Sequence, residues 1–179
     1  YVLKPLPNGD ALVRIRHDRA RHVVITGDDP QQVVEDDTLL YEGIWRKESD
    51  LAAPSGHLQI ADMSGAAVTV AFEGNQVRLI GRADPLGGLA DVYLDGKKQL
   101  VHIDCWNPSR RSQQVLYFKN GLAEGPHQLK VLARGTSNPY SGGSRIYVEA
   151  VQFSAAAGAH HFPTGTGPTE AQRMIFGFT

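Results

Sequence analysis

The chain has 179 residues, of which 41% are hydrophobic and 21% are charged, a composition that suits one globular β domain with extra sequence at its ends. Its 18 Lys and Arg residues nearly balance its 19 Asp and Glu residues, so the net charge of -1 provides no electrostatic reason to expect a nucleic acid or an anionic membrane as partner. The apolar runs are far shorter than the roughly 20 residues that a membrane-spanning helix requires.

The first thirty residues predict a strand pair ahead of the main domain. The sequence begins at Tyr1 without a signal peptide pattern, so we expect a piece of a longer protein. Strand composition predicts strands at Ala11–His17 and His22–Thr26, which we expect to pair with each other. The break at Gly27-Asp28-Asp29-Pro30 separates this pair, which resembles the end of a preceding domain, from the rest of the chain.

Short segments that alternate apolar and polar residues fill the middle of the chain. The predicted strands are Leu39–Trp45, His57–Asp62, Ala67–Glu73, Gln76–Arg82, Ala90–Asp95, Val101–Trp106, Gln114–Lys119, Gln128–Ala133 and Ser144–Phe153. Gly74-Asn75 predicts a hairpin between the third and fourth of these, Asp95-Gly96 predicts a tight hairpin, and residues 88–153 as a whole predict a β-meander. No convincing amphipathic helix interrupts the run, which argues against most parallel α/β enzyme folds.

These elements predict an all-β fold, an antiparallel two-sheet jelly-roll sandwich of about eight to ten strands, with a short N-terminal strand pair and an irregular C-terminal tail. The expected domain boundaries are a strand pair over 1–30, a carbohydrate-binding-like β-sandwich over 31–155, and a linker with the possible start of a following module over 156–179.

The single cysteine excludes an internal disulfide and does not indicate a compartment. Cys105 shares the strand parity of Val101 and Ile103, so we expect all three side chains to point into the core, where a thiol is an inert small apolar group. His102, Asp104 and Trp106 should face the other way.

From about residue 36 to residue 153, the order of motifs resembles the galactose-binding-domain-like β-sandwich, which occurs as carbohydrate-binding modules in bacterial multidomain polysaccharide-degrading proteins. The motifs that carry the resemblance are Gly43-Ile44-Trp45, Val77-Arg78-Leu79-Ile80-Gly81, Gly88 to Gly96, Gln113 to Tyr117, Gly121-Leu122 with Gly125 and His127, and Gly135-Thr136 with Asn138-Pro139. The resemblance implies a jelly-roll sandwich, sugar recognition in loops at a sandwich edge and, often, a structural calcium ion.

Sugar recognition requires flat apolar surfaces beside planar hydrogen-bonding groups. The candidate ligand-binding residues, which lie at strand ends or in predicted loops, are Trp106, Arg82, Asp84, Arg110, Tyr140 and Asn138. Trp106 has two interpretations, a ligand contact or the cap of a sheet edge, and Trp45 is either a ligand contact or a core residue. The pair Arg110-Arg111 either clasps an acidic sugar or is a solvated loop pair.

A metal site is the second candidate, because hard cations require several oxygen ligands. Glu35, Asp36 and Asp37 supply three carboxylates just before the sandwich, and Glu149 on the last strand would meet them if the first and last strands are neighbours. The candidate calcium ligands are therefore Asp36, Asp37 and Glu149, although acidic runs are usually only solvated.

The leading interpretation is a non-catalytic carbohydrate-binding module, secreted or at the bacterial cell surface or periplasm, that targets a linked enzyme to a polysaccharide or oligosaccharide. One alternative is a structural β-sandwich that packs against other domains of the parent chain, which would present a large apolar patch. Another is a small lyase or hydrolase acting on an anionic glycan, with Arg82, Arg110 or Arg111 neutralising a carboxylate and His102 or Tyr140 as base.

Overall fold

The structure is a computed structural model that describes residues 2–5, 11–14 and 32–155. The strands are β1 (Val2–Pro5), β2 (Ala11–Arg14), β3 (Gln32–Glu35), β4 (Leu40–Glu42), β5 (Arg46–Ser49), β6 (His57–Ala61), β7 (Ala67–Glu73), β8 (Gln76–Ala83), β9 (Leu89–Leu94), β10 (Lys97–Lys98), β11 (Ile103–Asp104), β12 (Arg111–Asn120), β13 (Pro126–Ala133), β14 (Ile146–Val148) and β15 (Ala150–Ser154). A single turn of 3-10 helix spans Asp36–Thr38.

The strands between residues 32 and 155 form two antiparallel layers. One is a sheet in the order β10-β9-β13-β7-β4, with β11 also paired to β9. The other contains the sheet β12-β8-β15-β3, which is continued by the sheet β14-β6-β5 because only Glu149 separates β14 from β15. The predicted all-β antiparallel sandwich is confirmed, with more and shorter strands than expected because bends divide several predicted segments.

The core lies between the two layers and includes an aromatic contact that joins them. Val68 and Phe72 of β7 are buried, as are Val77 and Leu79 of β8. Phe72 meets Phe153 of β15 with 5.8 Å between ring centroids, which joins the layers directly. Each fully buried Val, Leu or Phe contributes about 1.5 to 3 kcal/mol, so this shared interior is the main source of stability.

The predicted hairpin at Gly74-Asn75 is wrong, because the two strands belong to different layers. β7 pairs with β13 and β4, whereas β8 pairs with β12 and β15. The turn connects one layer to the other. The amide of Gly74 donates to the carbonyl of Gly125, and the amide of Asn75 donates to the carbonyl of Ser154. The apolar faces of the two strands do face each other, but across the sandwich and not along one sheet.

The predicted meander is also corrected. On one side β9 pairs with β10 and β11, as a meander requires, but its neighbour on the other side is β13, while the intervening β12 lies on the opposite layer beside β8. The chain therefore changes layer between β7 and β8, between β8 and β9, between β11 and β12, between β12 and β13 and between β13 and β14, as a jelly roll requires. Val101 is exposed and not a core residue, because the chain leaves the sheet between β10 and β11 and re-enters it at Ile103, which is fully buried.

Cys105 is fully buried, as expected from its parity with Ile103. Burial raises the pKa of its thiol to about 12, so the group is a thiol and not a thiolate at neutral pH. At the N-terminus, β2 pairs antiparallel with β1. Its predicted partner His22–Thr26, the break at residues 27–30 and the predicted linker over 156–179 lie outside the described residues.

The predicted turn at Asp95-Gly96 is confirmed, with φ values of 51° and 73°. Asp95 accepts hydrogen bonds from the amide of Gln128 at 2.9 Å and from Nδ1 of His127 at 2.8 Å. Nε2 of His127 donates to the carbonyl of Ala123 at 2.7 Å. Because both acceptors lack a proton to donate, the ring fits this position as an imidazolium. The hydrogen bond to the Ala123 carbonyl is the larger cause of a raised pKa for His127, and the bond to Asp95 is the second.

We predict that His127→Gln lowers stability more at about pH 5.5 than at about pH 8.5. The folded pKa of His127 is raised, so its stabilising contribution is complete below the unfolded value of about 6.5 and is lost as the pH rises through the folded value. Urea unfolding of both proteins across this range measures the difference. Asp95→Asn, which retains an oxygen for Gln128, should remove most of the pH dependence, whereas a difference that stays constant with pH would contradict the assignment.

Candidate functional site

Three loops meet at one end of the sandwich. They follow β8 (84–88), connect β11 to β12 (105–110) and connect β13 to β14 (134–145). The amide of Gly88 donates to the carbonyl of Arg145 at 2.8 Å, and the amide of Gly142 donates to that of Pro85 at 2.9 Å. The amide of Cys105 donates to the carbonyl of Gly88 at 2.9 Å, which ties the second loop to the first. The three loops therefore form one hydrogen-bonded surface.

An aromatic pair lies on this surface. The rings of Trp106 and Tyr140 are tilted by 36° with 5.7 Å between their centroids. Tyr140 is 81% exposed, and Trp106 is half-buried. Two predicted ligand-binding residues from loops that lie far apart in the chain are thus brought together as a partly solvent-facing apolar platform.

Asp104 and Asn138 connect the two aromatic residues. Asp104 accepts the backbone amide of Trp106 on Oδ1 at 2.9 Å and the side-chain amide of Asn138 on Oδ2 at 2.9 Å. Oδ1 of Asn138 accepts the backbone amide of Tyr140 at 2.9 Å. The chain of bonds from Trp106 through Asp104 and Asn138 to Tyr140 fixes the backbone at both rings.

Gly87 allows the first loop to approach this platform closely. A Cβ atom at this position would overlap the carbonyl of Cys105 and the amide of Trp106. Only glycine fits this close approach without moving the backbone that carries the indole ring.

The sequence predicted Arg82 and Asp84 as ligand-binding residues at a strand end or in a loop, but the structure buries both. Arg82 is on β8 and is 2% exposed, and Asp84 is also buried. The guanidinium lies 4.2 Å from the centroid of the Tyr147 ring, 2.8 Å from Oε1 of Glu48 and 3.2 Å from Oδ2 of Asp84. These are close ion pairs, although Nε and Nη1 of Arg82 do not point at the oxygens in hydrogen-bonding directions.

Asp84 joins this buried charge to the platform. Its Oδ1 accepts the hydroxyl of Tyr147 at 2.7 Å and the amide of Leu86 at 2.8 Å. Burial and the bond to Asp84 raise the pKa of Tyr147 to about 12, so the phenol stays a donor. The backbone of Asp84 bonds to Cys105 and Asn107 on either side of Trp106. Asp84 therefore positions the backbone that carries the indole ring of Trp106.

Arg110 is partly exposed and already paired. Its Nη2 lies 2.8 Å from Oδ2 of Asp50, a buried carboxylate that also accepts the hydroxyl of Ser112 at 3.0 Å. Trp45, the other candidate aromatic, packs against Tyr41 and the core with its indole nitrogen donating to the carbonyl of Glu42.

A second cluster lies where the first strand of the sandwich meets the last. β3 pairs with β15, and the amide of Asp36 donates to the carbonyl of Glu149 at 3.0 Å. The carboxylates of Asp36 and Asp37 share a small volume with the ring of His57, and these three groups could hold a metal ion. Nδ1 of His57 lies 3.0 Å from Asp36, and Nε2 lies 3.2 Å from Asp37.

The side chain of Glu149 is also buried, but it is not among the three groups that converge in this cluster. Oε1 accepts the amide of Gln113 at 3.3 Å, whereas Oε2 has no hydrogen-bond partner among the described residues. Burial, with the nearby charges of Asp50 and Asp36, raises the pKa of Glu149. Hard cations such as calcium bind carboxylate oxygens of this kind.

Asp104 and His57 belong to these sites, although the sequence did not predict either as a site residue. The strand pattern indicates only that Asp104 faces outward, and its partner Asn138 lies in a distant loop. His57 stands at the start of a predicted strand, well beyond the acidic run, and nothing local connects the two.

No known protein-family model matches the chain. Its sequence is similar to two curated proteins of Flavonifractor plautii. It is 30% identical over 97 residues to the A type blood N-acetyl-alpha-D-galactosamine deacetylase and 29% identical over 98 residues to the A type blood alpha-D-galactosamine galactosaminidase. Each match covers 54% of this chain, but only 12% of the deacetylase and 9% of the galactosaminidase.

Among solved structures, the chain is similar to the xanthan lyase of Paenibacillus, with a TM-score of 0.53 and 10% identity over 78% of this chain and 14% of that one. It also matches a family 36 carbohydrate-binding module in complex with calcium and xylotriose, with a TM-score of 0.47 and 13% identity over 69% of this chain and 99% of that one. At 10% identity, the likeness to the xanthan lyase structure is one of fold alone. No helix in the described part of the chain is long and apolar enough to cross a membrane.

We predict that Arg82→Met destabilises the fold by about 3 to 5 kcal/mol, because it leaves the carboxylates of Glu48 and Asp84 near the core without their cation. Arg110→Met is the control, since the Arg110 side chain is 52% exposed and its partner Asp50 keeps Arg82 at 3.6 Å and the hydroxyl of Ser112. It should cost less than about 1 kcal/mol. Urea unfolding of the three proteins measures both values, and equal costs would show that the buried network does not hold this end of the sandwich.

Proposed function

We propose that this chain is a non-catalytic carbohydrate-binding module, which keeps a linked enzyme close to its glycan. The observation that carries the proposal is the partly exposed pair of Trp106 and Tyr140, with the polar groups of Asp104 and Asn138 between their backbones. Aromatic faces stack on the C–H faces of a sugar ring, and fixed carboxylate and amide groups bind its hydroxyls.

The curated relatives support an accessory role. Their names give two different activities, a deacetylase and a galactosaminidase, yet each contains a segment similar to this chain that forms about a tenth of its length. A segment shared by enzymes of different activity is better explained by a common attachment or recognition role than by either reaction. By this argument the parent protein is a carbohydrate-active enzyme that works outside the cytoplasm, where such glycans are found.

The geometry does not favour the lyase or hydrolase alternative. Arg82 is surrounded by Glu48, Asp84 and the Tyr147 ring and is 2% exposed, so it is not available to neutralise a substrate carboxylate. Arg110 already pairs with Asp50. Tyr140 projects into solvent, where no low-dielectric surroundings would activate its phenol as a base.

We predict weak glycan binding, with a dissociation constant on the order of micromolar to millimolar, because a shallow platform buries little area. Tyr140→Ala and Trp106→Ala should each weaken binding by roughly tenfold or more, since each removes half of the stacking surface. A glycan array followed by calorimetry on the best ligand measures this. Galactosamine and N-acetylgalactosamine glycans belong in the first set, given the relatives' names.

Tyr140→Phe is the matched control for that experiment, because it keeps the ring and removes only the hydroxyl. It should retain most of the affinity. Tyr140 is 81% exposed, so its replacement by Ala should leave thermal unfolding unchanged even if the half-buried Trp106 contributes to stability. Unaltered glycan affinity in both alanine variants would overturn this site, and binding to no glycan would favour the structural alternative.

As a second feature of the same module, we propose that a calcium ion binds at the seam of the first and last strands of the sandwich. Asp36 and Asp37 supply carboxylates that lie close together, and Glu149, whose backbone carbonyl accepts the amide of Asp36, has an orphaned Oε2 that we propose as a further ligand after a side-chain movement. His57 and Lys47 pair with the two aspartates, with Lys47 2.9 Å from Asp37. A bound cation would therefore displace His57, because an imidazole nitrogen is a poor ligand for calcium.

We predict that calcium raises the melting temperature of the wild-type chain by several degrees at saturation and that a chelator reverses the rise, because the ion binds only the folded state. Asp36→Asn and Glu149→Gln should abolish the response. Asp62→Asn removes an exposed acidic group elsewhere and should leave it intact. A melting temperature that does not change with calcium would remove this proposal without affecting glycan binding.

A further inference from the structure

From the surroundings of Asp104, and resting on the proposed glycan site, we infer that the platform selects sugars that carry a free, protonated amino group over their N-acetylated, neutral and acidic counterparts. The group that makes this selection is the carboxylate of Asp104. It is bonded to the backbone amide of Trp106 and to Asn138, and the residue is partly exposed to solvent.

The carboxylate is held in one position. Oδ1 accepts the amide of Trp106, and Oδ2 accepts the side chain of Asn138, each at 2.9 Å. A carboxylate oxygen can accept two hydrogen bonds, so each oxygen keeps capacity for a ligand donor. Since the side chain is already ordered by Trp106 and Asn138, a ligand would not have to immobilise it.

Asp104 also differs from its acidic neighbours in having no cation. Asp84 lies 3.2 Å from Arg82, and Asp50 lies 2.8 Å from Arg110. In the region that the structure describes, no Lys, Arg or His side chain lies within ion-pair distance of Asp104, although Arg111 and Arg145 belong to the adjoining segments. The two bonds that it receives come from neutral amides, which leave its negative charge uncompensated.

A protonated amine suits this position in two ways. It donates charge-assisted hydrogen bonds to the carboxylate, which are about twice as strong as those from a neutral hydroxyl. A sugar stacked on the platform would also bring its amine close to the faces of Trp106 and Tyr140, which attract cations. An N-acetyl group offers one neutral N–H donor with a bulkier substituent, and a uronate would be repelled by the same charge.

The test is to measure the affinities of four methyl galactosides by NMR titration or calorimetry at low salt and about pH 6, where a primary amine is protonated. The probes are the glycosides of galactosamine, N-acetylgalactosamine, galactose and galacturonate. We expect the wild type to bind the amine about tenfold more tightly than the other three, with a preference that declines as salt is added.

Asp104→Asn should remove the preference, because the carboxamide is the same size but uncharged. Asn138→Ala is the matched control, since it removes the same hydrogen bond to Oδ2 but keeps the charge. It should weaken all four ligands while the preference for the amine remains.

Two outcomes would overturn the selectivity and are distinguishable from failure of the glycan site itself. If all four sugars bind equally, or galacturonate binds best, and Tyr140→Ala abolishes binding, the platform stands and the role of Asp104 is wrong. If none of the four binds and the glycan array is also negative, both the platform and its selectivity are wrong.

Discussion

The buried guanidinium of Arg82 is the interaction on which the loop end of the sandwich depends. A cation in the interior loses its hydration, so it is stable only where other groups replace water around it. Here Glu48 of β5, Asp84 beyond β8 and the ring of Tyr147 on β14 provide those groups. The same contacts join β8 to β5 and β14, so the charge that is costly to bury also holds the second layer together.

The contacts around Arg82 also hold the aromatic platform of Trp106 and Tyr140 in place. Asp84 is bound to Arg82 and Tyr147 through its side chain and to the residues on either side of Trp106 through its backbone. A ligand that meets an ordered surface loses less of its binding free energy in fixing side chains. Arg82 and Asp84 therefore act on recognition by positioning Trp106, not by touching a sugar.

Carboxylates have three different surroundings in this domain, and each suits a different task. Asp84 is neutralised by a buried arginine and supports the fold. Asp36 lies 3.0 Å from the ring of His57 at the strand seam, where a bound cation could take the place of the ring. Asp104 has only neutral donors and is half-exposed, which leaves its charge for an external partner.

The sequence by itself determined the all-β class, most strand positions, the turn at Asp95-Gly96 and the burial of Cys105, because alternation and turn preferences depend on residues a few positions apart. It also identified Trp106 and Tyr140 as candidates from their residue type and loop position. Only the tertiary structure decided that β7 and β8 lie on opposite layers, that Arg82 is buried, and that His57 meets Asp36. Those outcomes depend on partners far away in the chain, and the local pattern of a strand is the same whichever layer it joins.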